Sequence, residues 1–226
     1  MYSPLKPADS RSSARPATPA PAEGFRFLPG YLPPAAQKAL VAELQEAVAS
    51  APFFRPAMPR TGKPFSVEMT NLGTLGWVSD KERGYRYQSA HPVTGKPWPP
   101  IPAAVLAVWR AVADYPHDPE ACLVNRYDPA AKMGLHQDRD EEDFSAPVVS
   151  ISLGDTCRFR IGGTERGGPT HSVKLASGDV VVLGGAARLA HHGVDRIYPG
   201  TSTLLSDWFP DGGRINLTLR RVTKPA

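Results

Sequence analysis

Residues 134–141 read GLHQDRDE and set a histidine and a carboxylate two positions apart, His136 and Asp138. On an extended chain, residues i and i+2 share a face, so an imidazole and a carboxylate can be presented side by side. Two ligands do not hold a reactive metal. A third is available in ARLAHHGVD (187–195), where His191 and His192 follow an apolar run and precede Gly193. Two imidazoles and one carboxylate form the facial set that holds non-haem Fe(II) and leaves coordination positions open. Adjacent residues on a strand face opposite ways, so one histidine of the pair is expected to bind. Such histidines also occur as solvated loop residues, so the triad needs support from the rest of the chain.

Support comes from RINLTLR (214–220). Arg214, Asn216, Thr218 and Arg220 alternate with Ile215, Leu217 and Leu219. An ordinary surface strand would wet the arginines. If that face lines an interior, two buried guanidinium groups need anions, and a small dicarboxylate would supply both ends.

The elements that must position these groups follow from pattern. PAAQKALVAELQEAVAS (34–50) places Leu40, Val41, Leu44 and Val48 at helical spacing behind Pro34, and PAAVLAVWRAVADY (102–115) predicts a second helix. FSVEMTNLG (65–73) and GYRYQS (84–89) are strand-like. From residue 121 the chain becomes a series of short alternating runs with Gly or Pro punctuation: ACLVNRY, VVSISLG, CRFRIGG, HSVKLAS, DVVVLGG and RINLTLRRV. That series predicts an antiparallel sandwich or barrel buttressed by helices.

Composition bounds the rest. The 226 residues suffice for one domain with a sizeable core. The net charge of +4 and pI near 9.1 lean toward an anionic partner. Cys122 and Cys157 show no metal-site spacing and read as buried thiols of a reducing compartment. No apolar run approaches the roughly 20 residues that span a bilayer. No signal-peptide pattern opens the chain, so a cytoplasmic location is expected. Residues 1–22, rich in Pro, Ala, Ser and Arg, read as a disordered tail.

The motifs taken together resemble the AlkB family of Fe(II)- and 2-oxoglutarate-dependent dioxygenases, closest to the bacterial type. NRYDPAAKMGLHQDRDE (125–141) is similar to the family's N-x-Y segment followed by H-x-D, HHG (191–193) to its distal histidine, and RINLTLR to its R-x-N-x-x-x-R ending. The similarity continues upstream through MTNLGTLGW (69–77), GYRY (84–87) and GKPWP (95–99). The fold it implies is mainly β with flanking α-helices: a double-stranded β-helix (jelly roll) over 116–226, with N-terminal helices and a nucleotide-recognition lid over 23–115.

The resemblance implies Fe(II) held by His136, Asp138 and His192, with O₂ as oxidant. It assigns 2-oxoglutarate to Arg214 and Arg220, with Asn125, Tyr127 and Asn216 completing the polar shell. It places Trp77 against a substrate base, Tyr85 and Arg166 against the nucleotide, Asp140 and Glu141 near the base's polar edge, and Met69 in the same pocket. The implied reaction is oxidative demethylation of N-alkylated bases such as 1-methyladenine and 3-methylcytosine in DNA, with RNA as second candidate, by a monomer. Departures occur at Leu183, His191 and Ile215, where the family commonly has aromatics; they bear on packing and substrate preference. Two alternatives remain: a related oxygenase acting on RNA, protein or lipid, and a barrel that binds nucleic acid without catalysis.

Overall fold

The computed structural model describes residues 23–225; the tail expected over 1–22 lies outside the described residues. Twelve strands and two α-helices appear among them, in the order β1 (Phe25–Leu28), α1 (Pro34–Ser50), β2 (Glu68–Gly73), β3 (Gly76–Asp80), β4 (Gly84–Gln88), α2 (Ala103–Val112), β5 (Ala121–Tyr127), β6 (Met133–His136), β7 (Val148–Gly154), β8 (Thr156–Ile161), β9 (His171–Leu175), β10 (Val180–Leu183), β11 (His192–Tyr198) and β12 (Arg214–Arg220).

Six strands form one sheet in the order β1-β10-β7-β12-β5-β2, four form a second in the order β6-β11-β8-β9, and β3 and β4 make a separate hairpin. All the pairings are antiparallel. The period of two along each strand sorts the side chains into two cores. On one face of the six-stranded sheet, Val124, Val149, Ile151, Val182, Ile215, Leu217 and Leu219 pack against Leu40, Leu44, Val105 and Trp109 of the two helices. On the other face, Met69, Leu123, Tyr127, Val148, Val181 and Leu183 meet Cys157, Phe159, Ile161, Leu175 and Val194 of the four-stranded sheet. The result is a two-sheet jelly roll whose interior lies between the sheets and whose helices cover one outer face. Cys122 and Cys157 are both buried free thiols.

The second helix is shorter than its periodicity predicts. It stops at Val112, Asp114 takes a left-handed backbone (φ 50°), and Pro116 disfavours helix in the residue before it. The strand expected from residue 65 starts at Glu68, because the preceding segment bonds elsewhere: Phe65 N–H donates to Pro56 O at 2.9 Å and Ser66 Oγ to Lys132 O at 2.8 Å. No helix among the described residues is long and apolar enough to cross a membrane.

Candidate active site

β12 carries the decisive alternation. Its apolar residues reach the helices, so Arg214, Asn216, Thr218 and Arg220 face the interior between the sheets, where all four line one cleft of about 1210 Å³. The same cleft is lined by His136, Asp138 and His192. His136 ends β6 and His192 begins β11, and the two are paired across the strands. Their ligand atoms and a carboxylate oxygen of Asp138 all lie within 4.8 Å of one another. His136 Nε2 is 3.6 Å from Asp138 Oδ1, and His192 Nε2 is 3.7 Å from Oδ2.

This approach depends on Gly193. A Cβ there would stand 2.5 Å from Met133 O and 2.8 Å from Gly134 O, so a larger residue would push β11 off β6. His191 points elsewhere, its Nδ1 3.3 Å from Gly163 O.

Hydrogen bonds fix the tautomers. Nδ1 of His136 lies 2.9 Å from Gly134 O, and Nδ1 of His192 lies 3.0 Å from Ala190 O. A carbonyl only accepts, so each Nδ1 carries the proton and each Nε2 presents its lone pair inward. Burial is the main reason the His192 imidazolium is disfavoured, with His136 adding repulsion, and its pKa falls to about 4. The ring is therefore neutral at physiological pH. Burial also acts most strongly on Asp138, raising its carboxyl, but Arg220, His192 and His136 outweigh that and hold it below the usual carboxylate range. Asp138 is thus ionised. One oxygen accepts from Arg220 Nη2 at 2.8 Å; the other, Oδ2, is buried without a hydrogen-bond donor. Two imidazoles whose Nε2 atoms face the cluster and a carboxylate with a free lone pair suit a divalent cation.

Further along β12, Arg214 is 1 % exposed. It donates to Ser152 Oγ at 3.0 Å and more weakly to the backbone carbonyls of Asp155 and Leu175 at 3.4 and 3.5 Å. All those acceptors are neutral, and Nε has none. Asn125 and Tyr127 are its neighbours on β5: Tyr127 pairs with Arg214 and Asn125 with Asn216. Asn125 Nδ2 donates to Asn216 Oδ1 at 3.4 Å, while its own Oδ1 is buried and unpaired. A buried cation without a counter-charge, beside unused amide and guanidinium groups, fits a dicarboxylate bound next to the metal.

A family model described as the 2OG-Fe(II) oxygenase superfamily matches residues 24–220. The chain is 56 % identical over 211 residues to an alpha-ketoglutarate-dependent dioxygenase AlkB homolog of Caulobacter vibrioides, covering 92 % of this chain and 91 % of that one. This chain belongs to the AlkB family. Its relatives include AlkB of Escherichia coli, 40 % identical over 84 % of this chain and 86 % of the other. The solved structure of OsALKBH1 superimposes with a TM-score of 0.73 at 34 % identity, over 88 % of this chain and 96 % of that one. At lower coverage, a Schizosaccharomyces pombe relative named tRNA demethylase abh1 is 31 % identical over 71 % of this chain and 57 % of the other. An Arabidopsis thaliana relative named DNA N(6)-methyladenine demethylase ALKBH1D is 41 % identical over 45 % of this chain and 24 % of the other. The superfamily's co-reactants are Fe(II), 2-oxoglutarate and O₂, and the cluster and the anion-free arginine of this AlkB-family cleft accommodate the first two.

The rest of this AlkB-family cleft is walled by the β3–β4 hairpin. Trp77 stacks on Tyr85 with ring centroids 5.4 Å apart and planes 26° from parallel, and its Nε1 donates to Asp140 Oδ2 at 2.8 Å. Tyr85 is 51 % exposed at the rim. Met69 is buried in the floor and Arg166 lies at the mouth; both line the cleft. Glu141 faces inward instead of into open space. It pairs with Arg188 Nη2 at 3.0 Å, approaches Arg220 Nε at 3.5 Å and accepts a hydrogen bond from Tyr87 Oη.

Three supporting residues were not anticipated. Arg188 is 2 % exposed and donates to Asp138 O at 2.7 Å as well as to Glu141. Tyr87 joins the hairpin to Arg220 at 3.2 Å. Asp155 accepts from the N–H groups of Thr201, Ser202 and Gly213 at 2.8 to 3.1 Å and so secures the start of β12 beside Arg214. No local pattern in the sequence marks them, because each acts on residues more than 40 positions away.

Proposed function

We propose that this AlkB-family protein removes N-alkyl groups of the 1-methyladenine and 3-methylcytosine type from DNA bases, with RNA as a second substrate. The observation that carries the reading is that one cleft joins the His136, Asp138 and His192 cluster, the anion-free Arg214 and the Trp77–Tyr85 aromatic wall. The demethylase names of the plant and yeast relatives support nucleic acid as the substrate class.

Bound iron with 2-oxoglutarate and O₂ supplies oxidation of a C–H bond of the N-methyl group, 2-oxoglutarate leaving as succinate and CO₂. The hydroxymethyl product on nitrogen then loses formaldehyde. In this reading the chain's own groups do the positioning. His136, Asp138 and His192 hold the metal through Nε2 atoms and a carboxylate whose states are preset. Arg214 takes the remote carboxylate of 2-oxoglutarate. Arg220 keeps Asp138 ionised and lends its positive charge to the co-substrate, and Asn125, Tyr127 and Asn216 fill the shell between.

Trp77 offers a face to a base, and an alkylated cationic base suits an aromatic face with Asp140 at its edge. Tyr85 and Arg166 contact the nucleotide, Met69 packs beneath the base, and Glu141 holds the floor through Arg188 and Tyr87. The methyl sits on an edge that duplex pairing hides, so the base must be flipped out or single-stranded. Residues 23–115 supply the hairpin lid, the two helices and also the edge strands β1 and β2 of the six-stranded sheet, so the jelly-roll core is not confined to the segment from residue 116 onward. The whole acts as a cytoplasmic monomer.

The test is turnover of single-stranded oligonucleotides, methylated and unmethylated, with Fe(II) and 2-oxoglutarate. Formaldehyde and succinate in equal amounts from the methylated strand alone are expected. Succinate without loss of any methyl group from DNA or RNA would overturn the reading.

A further inference from the structure

The outer face of the four-stranded sheet carries charge that the cleft does not use. Arg196, Arg158 and Lys174 are direct cross-strand neighbours on β11, β8 and β9, and Arg160 lies two residues beyond Arg158 on the same face. The interior side of these strands is filled by Cys157, Phe159, Ile161 and Leu175, so the cations all point outward. Arg196 and Lys174 are exposed, and the side chains of Arg158 and Arg160 are 42 % and 39 % accessible.

Like charges opposite one another on adjacent strands repel, so a row of three weakens the sheet unless something offsets it. Two features offset it in part. A bulge between Val194 and Arg196 brings Asp195 to Arg158 Nε at 2.6 Å and to Arg160 Nη1 at 3.8 Å. The Tyr198 ring lies 5.3 Å from both Lys174 and Arg196. Four cations still face one carboxylate.

The face is continuous with the cleft mouth. Arg160 Nε donates to Thr170 Oγ1 at 3.1 Å, and Thr170 lines a recess of about 380 Å³ together with Arg166 and His191. Those two residues also line the cleft. From His192 to Arg196 the strand advances four residues, roughly 13 Å.

We propose that this face binds the phosphodiester backbone on one flank of the base held in the cleft, anchoring long strands without entering the reaction. The proposal rests on the nucleobase reading above. Guanidinium and ammonium groups only donate, and a polyanion is the partner that a row of them fits; such contacts position a strand and do not read its sequence.

The test uses the double variant Lys174→Gln, Arg196→Gln, both exposed and both away from the cleft. Binding of an unmethylated thymidine 20-mer is followed across salt concentrations, and turnover of a trinucleotide with central 1-methyladenine is measured beside it. The slope of log affinity against log salt should shrink by roughly 1.4, at about 0.7 per lost phosphate contact on a single strand. Trinucleotide turnover and melting temperature should hold. An unchanged slope, or trinucleotide turnover falling in step with 20-mer binding, overturns the proposal. If the unsubstituted protein does not demethylate the trinucleotide, the functional reading fails, while a reduced slope for the 20-mer still supports the face as a phosphate-backbone site.

Discussion

Arg220 Nη2 donates to Asp138 Oδ1 at 2.8 Å inside the jelly roll, and both side chains are less than 8 % exposed. The pair is a buried charge held in place by another, so neither is dispensable. Replacing Arg220 with Met leaves Asp138 buried beside Glu141 with its main counter-charge gone. The metal-free variant should lose about 3–5 kcal/mol of stability. A divalent cation at the cluster returns a positive charge to Asp138, so the melting temperature should rise more on adding Mn(II) to the variant than to the parent. Thermal melts with and without metal check this; equal metal responses would show that Arg220 does not govern Asp138.

The two adjacent histidines should separate cleanly. His192→Ala removes a ligand whose Nε2 faces the cluster and should abolish tight Fe(II) binding, whereas His191→Ala removes a ring directed toward Gly163 and should leave iron binding near the parent value. Metal titration of both variants decides it. Equal loss would contradict the assignment.

Gly193 fixes the spacing of β6 and β11. In Gly193→Ala the new methyl meets two backbone carbonyls that cannot swing aside, so the strands must part. Overpacking of this kind costs about 1–3 kcal/mol. Iron affinity should fall with stability, because His136 and His192 are paired across that same gap. A melting curve and a metal titration on one sample test both parts.

Much of the site was legible because it rests on short-range spacing. The period of two in RINLTLR predicts which side chains share a face, and the structure turns that face inward. His136 and Asp138 sit two apart, and His192 stands at a strand start beside a glycine. What could not be read was held together by distance in the chain. Arg188 and Glu141, Tyr87 and Arg220, and Asp155 and Gly213 are 47, 133 and 58 residues apart. Glu141 illustrates the consequence: next to Asp140 it reads as a carboxylate near the base's polar edge, and it does line the cleft. Its partners Arg188, Arg220 and Tyr87 are all distant in the chain, and no local pattern announces them. The second helix was overextended because its apolar period continues past the point where Asp114 and Pro116 break the backbone.

The central claim is that one cleft holds two separable sites, an anion site at Arg214 and an aromatic site at Trp77. The direct measurement titrates 2-oxoglutarate and a methylated oligonucleotide independently against Arg214→Ala and Trp77→Ala. Arg214→Ala leaves the remote carboxylate buried without a partner and should raise the apparent KM for 2-oxoglutarate by the equivalent of about 3–5 kcal/mol, with partial rescue at high co-substrate. Trp77→Ala should leave that KM unchanged and weaken the oligonucleotide by about 1–3 kcal/mol of lost stacking. If Trp77→Ala leaves the oligonucleotide kinetics untouched, or both variants shift both constants together, the two-site account is wrong.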